Sequence, residues 1–519
     1  MKNNKIALIS VFNKEGLIKF AKTLQQLGYK IISTGGTAKV LNENKINVIP
    51  IQKITGNPEC FDGRMKTISF QIESGILFDR KNPIHVKQAQ ELKIKPIDLV
   101  VCNLYPFEKT IQKPDVSLDE AIENIDVGGP TMVRAAAKNF KNVLVVVNPA
   151  DYEKIIEGLK NKSVDDNFRQ TLAAKAFGHL SFYDSQIAKF LNHEQFPQEI
   201  TLAGRKSDFV LRYGENPHQK GAIYFEPQTS SPLKGLKHHA GRFLSHVNVT
   251  DIVAGTEVVR LFKEPTAVII KHNSPCGIAL GKNPKEALMR TIKADPISAF
   301  GGVIVLNKPI DEKIVSVISK FKDEYRANID IFAAPGITQK AIKNLSAIRK
   351  TMGIYTFGKL FNVERNLHAR FFDGGFLLQN WDDNIDEGFK NWKVVTKVKP
   401  TKKQLKQMQL AWKFLTRIRS NSVIVVDKTL PMTRGIGAGQ TSRIESTNIA
   451  LRLAGKYVKQ GILASDSFFP FDDSVKQAAK YGIGAIVQQG GSIHDQDSID
   501  AANKAGIPMI FTNRRAFWH

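Results

Sequence analysis

The first 150 residues alternate short β-branched apolar runs with stretches of helical spacing, and that alternation admits few folds. Residues 6–11 read as a strand and residues 14–27 as a helix with Leu17, Phe20, Ala21 and Leu24 on one face. Gly28 is the expected helix stop. A second strand at 30–33 runs into Ser33-Thr34-Gly35-Gly36-Thr37, a turn expected to open a helix at 38–41. Strand, helix, strand, glycine turn and helix begin a doubly wound parallel sheet. Further buried strands are expected at 97–103 and 143–147, and a long helical stretch at 168–192.

Polar residues collect where this pattern changes. The Ser-Thr-Gly-Gly-Thr turn offers free backbone N–H groups and hydroxyls to a phosphate. It lacks the lysine of a P-loop and the spacing of a dinucleotide fingerprint. Asp62-Gly63-Arg64-Met65-Lys66-Thr67 places two cations and a hydroxyl around a glycine turn. Asn103-Leu104-Tyr105-Pro106-Phe107 ends a strand, and Asp126-Val127-Gly128-Gly129-Pro130-Thr131 opens a helix at 132–138. Each set alone is ordinary turn chemistry; four on one edge of a parallel sheet make a pocket.

Later, the apolar run 267–270 leads into Lys271-His272-Asn273-Ser274-Pro275-Cys276-Gly277. Pro275 and Gly277 read as breaks, so Lys271 and His272 are expected where a strand passes into a loop. A cation beside an imidazole favours the neutral, proton-accepting ring, which suits a general base. A strand-end Lys and His turned to water fit these residues equally well.

Composition narrows the class. A chain of 519 residues predicts two to four domains. The net charge of +25 falls mostly after residue 200 and implies anionic partners. The lysines are scattered, without the aromatic–basic interleaving of a nucleic-acid surface, so a basic nucleic-acid-binding protein is the weaker reading. Cys60, Cys102 and Cys276 are too far apart for a disulfide framework or a four-cysteine metal site. No apolar run is long enough to span a bilayer, and residues 1–5 lead straight into a strand-like run rather than a signal peptide. These features predict a cytoplasmic protein.

The series SVFNKEG, ISTGGTA, DGRMKT, CNLYPFEKT, DVGGPTMVRAAAKN, RYGENPHQ, KHNSPCG, ADPISAFGG, IGAGQTSR, ASDSFFPF and QGGSI, with the terminal Phe517-Trp518-His519, covers essentially the whole chain in order. It resembles the bifunctional purine-synthesis family that joins 5-aminoimidazole-4-carboxamide ribonucleotide (AICAR) formyltransferase to inosinate (IMP) cyclohydrolase. The resemblance implies an α/β protein: a methylglyoxal-synthase-like doubly wound domain at 1–200, then two cytidine-deaminase-like α/β/α layers at 201–519. It implies formyl transfer from 10-formyltetrahydrofolate to AICAR, then cyclisation with loss of water to IMP, by a homodimer without a catalytic metal.

Site residues follow from the same resemblance. His272 would accept the proton of the attacking amine, Lys271 would supply charge and proton transfer, and Asn421 would hold the formyl oxygen. Arg212, Tyr213, Asn248, Asp330 and Arg515 would bind AICAR. Phe300, Gly301, Arg443, Phe468, Pro470, Phe471 and Asp473 would face the folate. For cyclisation, Lys66, Tyr105, Asp126 and Lys138 would act. Ser10, Lys14, Ser33, Thr34, Gly35, Gly36, Thr37, Arg64, Thr67, Asn103 and Gly128 would hold the nucleotide. Cys276 is assigned no covalent role. The chain departs from the family at Phe12, usually Ser, and at Ser69, Phe70 and Glu73, where the family has Leu-His-Pro and then His-Gly-Gly. Cyclisation is therefore expected to survive at a reduced rate, with a formyltransferase carrying an inactive first domain as the alternative.

Overall fold

The computed structural model describes residues 5–363 and 365–519. Residues 1–4, read above as leading directly into the first strand, lie outside the described residues. The chain forms two compact units, residues 1–204 with 226–228, and residues 205–225 with 229–519.

The first unit is built on five parallel strands, β1 (Lys5–Val11), β2 (Tyr29–Ser33), β3 (Val48–Pro50), β4 (Leu99–Asn103) and β5 (Leu144–Val146), in the order β3-β2-β1-β4-β5. A parallel sheet is covered on both faces, so its strands read as continuous apolar runs; β4 is Leu-Val-Val-Cys ahead of Asn103, all four buried. Between β1 and β2, α1 (Leu17–Gln26) buries Leu17, Phe20, Ala21 and Leu24, the face its spacing predicts. The next helix, α2 (Gly35–Glu43), begins three residues earlier than its apolar pattern suggests. Gly35 and Gly36 therefore form its first turn rather than a loop before it. The order reverses at β1, which leaves a crevice between the C-terminal ends of β1 and β4.

The second unit holds two six-stranded mixed sheets with one shared connectivity. In the first, the edge strand Ser274–Leu280 pairs antiparallel with Thr266–Lys271, which pairs antiparallel with Val303–Leu306. Ile331–Ala334 and Gly353–Thr356 continue in parallel, and Lys237–Ala240 closes antiparallel. In the second, Thr433–Gly437, Val423–Val426, Ile462–Ser465, Ala485–Gln488, Met509–Phe511 and Lys393–Val394 repeat that pattern. The two edge strands meet: Leu280 N–H donates to the Pro431 carbonyl at 2.8 Å, and Ile278 N–H to Thr433 Oγ1 at 3.0 Å.

One local expectation is corrected here. Pro275 and Gly277 do not start a loop; they lie within the strand Ser274–Leu280, so Lys271 and His272 stand at a two-residue hairpin turn. The proline is tolerated because the strand is an edge and its register slips between Pro275 and Gly277. The missing N–H thus falls at a bulge.

Candidate functional site

In the first unit a cleft of about 540 Å³ opens at the C-terminal ends of β1, β2 and β4. Ser10, Lys14, Thr34, Gly35, Gly36, Thr37, Arg64, Lys66, Thr67, Asn103, Tyr105, Asp126 and Gly128 line it. The fold explains the convergence. Asn103, at the end of β4, reaches across the crevice and accepts from Phe12 N–H at 2.7 Å and Asn13 N–H at 2.8 Å. Its amide donates back to the Asn13 carbonyl at 3.1 Å, which sets the loop carrying Lys14. Thr37 is tied to Val11 through both its N–H and carbonyl, so the first turn of α2, with its unpaired N–H groups, faces the cleft.

Two expected residues stand apart. Ser33 is buried and donates to the Ile9 carbonyl at 2.6 Å, bracing β1 against β2. Lys138 ends the helix Gly128–Lys138 and lines a different cleft with Arg134, Phe140 and Phe177.

The charges in the cleft are held by close packing. The Lys66 ammonium pairs with Glu59 at 2.8 Å, and that bond chiefly holds its pKa above the ordinary lysine value. Gly63 has a φ of +90°, which favours glycine there, and a Cβ at that position would stand 2.5 Å from Lys66 Nζ and push the ammonium aside. A Cβ on Gly128 would likewise meet Thr67 Oγ1 at 2.6 Å. Burial pushes the Asp126 carboxyl up, while the Gly129 N–H at 2.8 Å and the nearby Lys66 charge oppose it. Tyr105 is half-exposed, with the Phe12 ring edge-on to it at 5.7 Å. Arg64 pairs with Glu123. Glu59 escaped the sequence reading, because a single acid ahead of a cationic turn has no spacing that marks it.

The departures from the family fall in different places. Phe12 lines the cleft, whereas Ser69 caps the helix Phe70–Leu77 by accepting from Ile72 N–H at 3.2 Å. Glu73, in the first turn of that helix, has a buried oxygen without a hydrogen-bond partner, and burial pushes its carboxyl up to about 7. The folded state keeps this proton longer than the unfolded chain, so stability falls as pH rises from 4.5 through about 7. Glu73→Gln cannot ionise and is expected to gain a few degrees in Tm at pH 8 while matching the parent near pH 4. Equal Tm–pH slopes in the two proteins would contradict this.

In the second unit the expected residues form two clusters, one on each sheet. On the first sheet, Lys271 Nζ donates to the Phe300 carbonyl at 2.9 Å, which joins the hairpin to Phe300-Gly301. Asn273 N–H donates to Asp251 Oδ1 at 2.7 Å. Arg212 N–H bonds the Leu244 carbonyl and His246 N–H bonds the Tyr213 carbonyl, so Arg212-Tyr213 is stitched to the start of the helix His246–Val259. Asn248 caps that helix through Ser245. Asp330 accepts from Arg242 at 2.8 Å and Arg349 at 2.9 Å, one guanidinium on each carboxylate oxygen. Cys276 is held as an inert thiol, pushed up to about 12 by burial.

On the second sheet, Asn421 Oδ1 accepts from Arg443 at 2.7 Å, and Asn421 Nδ2 donates to the Gln440 carbonyl at 3.0 Å. Arg443 is buried and also bonds Ser465 and Asp466. Asp466 further accepts from Ser420 and from the Ser422 N–H. Arg443 thus orients the Asn421 amide. In the segment after it, Phe469 is core, while Pro470 and Phe471 are exposed and Phe468 is half-buried. Asp473 starts the helix Asp473–Lys480. Arg515 is exposed, its guanidinium 4.4 Å from the Phe517 ring centre.

Among the described residues no His/Cys/Asp/Glu group could hold a metal ion, and no helix is long and apolar enough to cross a membrane.

Comparison with known proteins gives this geometry a context. The family model described as the AICARFT/IMPCHase bienzyme matches residues 136–453, and that of the MGS-like domain matches residues 16–131. The chain is 44% identical over 519 residues to the bifunctional purine biosynthesis protein PurH of Thermoanaerobacter sp. (strain X514), covering 99% of this chain and 100% of the relative. It is 43% identical to PurH of Acetivibrio thermocellus over 529 residues, with 99% and 100% covered. PurH of Bacillus subtilis (strain 168) is 42% identical over 525 residues, with 99% of each covered.

Proposed function

The chain belongs to the AICARFT/IMPCHase bienzyme family, and from that premise we propose how its residues divide the two reactions of a bifunctional purine-biosynthesis enzyme. The second unit transfers formyl from 10-formyltetrahydrofolate to AICAR. The first unit closes the formylated product to IMP.

In formyl transfer the 5-amino group of AICAR attacks the formyl carbon. It loses a proton as the carbonyl becomes a tetrahedral oxyanion, and the folate nitrogen leaves with a proton. The amine is conjugated to its ring and is a poor nucleophile, so a base contributes substantially. His272, exposed at the hairpin turn, takes that proton. Lys271, one residue away, supplies positive charge and returns a proton to the leaving nitrogen. The Asn421 amide, whose oxygen is held by Arg443, turns an N–H from the Gln440 and Thr441 carbonyls that it meets to the developing oxyanion. Arg212 offers a planar fork to the AICAR phosphate. The exposed rings of Phe300 and Phe471 supply a flat apolar surface for the pterin.

In cyclisation the carboxamide nitrogen attacks the formyl carbon, and the resulting carbinol loses water. Lys66 polarises the formyl oxygen. Asp126, which burial makes more basic than an ordinary aspartate, takes the carboxamide proton and passes it to the formyl oxygen to give the carbinol. It then moves the proton of the formamido nitrogen to the hydroxyl, which leaves as water, with Tyr105 beside it. The first turn of α2 receives the ribose phosphate. Lys66, Tyr105 and Asp126 on one cleft are the observation that carries this reading and favours an intact cyclohydrolase over a formyltransferase with an inert first unit. Formylated AICAR supplied alone, without folate, tests it: IMP must form.

The enzyme acts as a homodimer in the cytoplasm. The ribbon His368–Phe372 and Gly375–Gln379 exposes Phe371, Phe372 and Leu377, and a second copy of the chain would cover it. Sedimentation at assay concentration is expected to give twice the chain mass; a monomer with full formyltransferase activity contradicts it.

A further inference from the structure

His272 and Asn273 form the turn between paired Lys271 and Ser274, with φ of +54° and +59°. Left-handed backbone at both positions gives the twist a two-residue hairpin needs, and asparagine tolerates it. Histidine adopts it at some cost, so the turn persists only where its surroundings fix it. The fixing contact comes from 22 residues upstream. Asp251, 5% exposed on the helix His246–Val259, accepts from Asn273 N–H at 2.7 Å. Burial pushes this carboxyl up, and the Asn273 N–H and the His272 charge pull it back. Further charged groups at the hairpin include Lys271, directed to the Phe300 carbonyl, and Asp295, whose charge reaches Cys276.

We propose that Asp251 is the positioning residue for His272, fixing the left-handed turn that presents the imidazole and stabilising the imidazolium as the ring takes the amine proton. The inference rests on the formyltransferase reading above. A buried carboxylate that only supported the hairpin could be replaced by any acceptor of equal shape; one that also acts through charge could not. Asp251→Asn keeps an oxygen for Asn273 N–H and loses the charge, while Asp251→Ala loses both.

The test uses the full-length enzyme with AICAR and 10-formyltetrahydrofolate. Formylation by the parent protein comes first; its absence sinks the formyltransferase reading, not the role of Asp251. Given that activity, kcat is expected to fall about 10-fold in Asp251→Asn and about 100-fold in Asp251→Ala, with KM for AICAR within about twofold. The acidic limb of kcat/KM against pH is expected to move to lower pH in Asp251→Asn, because loss of the anion disfavours the protonated base. A cooperative thermal transition at or near the parental Tm reports that the second unit of each variant is folded, and IMP formation from supplied formylated AICAR reports the first unit. An Asp251→Asn enzyme with parental kcat and an unmoved limb, or a loss confined to KM, overturns the proposal.

Discussion

Replacing His272 with Ala is expected to lower AICAR formylation by about 10²–10⁴-fold, the range a positioned general base supplies, and to leave cyclisation of supplied formylated AICAR unchanged. The selectivity follows from the construction of the chain. His272 lies in the second unit and the cyclisation cleft is lined wholly by the first. The substitution is also mild for the fold, since His272 is exposed and the hairpin is closed by Lys271–Ser274 pairing and by Asp251. The loss should appear in kcat with KM for AICAR nearly constant, because the proposed division of roles gives substrate binding to Arg212 and Tyr213. Initial rates with saturating folate measure it; a drop below tenfold would remove His272 from the chemistry.

Asp126→Asn is expected to reduce cyclisation by about 10²-fold or more without lowering thermal stability. The Asn oxygen can still accept from Gly129 N–H, which Asp126 does at 2.8 Å, so the entry to the helix Gly128–Lys138 keeps its bond. Burial raises the Asp126 carboxyl, so its ionisation opposes folding as pH rises above the ordinary aspartate range. An uncharged amide escapes that cost. Activity lost while Tm at pH 8 holds or rises marks a functional carboxylate; activity and Tm lost together would reduce Asp126 to a structural residue.

Sequence spacing revealed whatever depended on neighbours along the chain. The apolar face of α1 and the runs of β1, β2 and β4 were legible because burial on a parallel sheet leaves continuous patterns. The polar ends of those strands were legible because the crossover topology forces them to one edge. Acids that arrive from elsewhere were not. Asp251 meets Asn273 through tertiary packing, and nothing local marks it; Glu59 meets Lys66 across the local Cys60–Met65 bridge, which no spacing announces. Pro275 misled because its usual meaning is a break, while here it occupies an edge strand at a bulge. The partners of Asp330 and Arg443 were equally hidden: each forms ion pairs within the unit with residues distant in sequence.

The decisive measurement incubates the enzyme with AICAR and 10-formyltetrahydrofolate and separates formylated AICAR from IMP over time. Both sites working in sequence predict IMP as the accumulating product, with the formylated intermediate only transient. Accumulation of formylated AICAR in step with folate consumption, without IMP, would contradict the account by showing that the cleft around Lys66 and Asp126 does not close the ring.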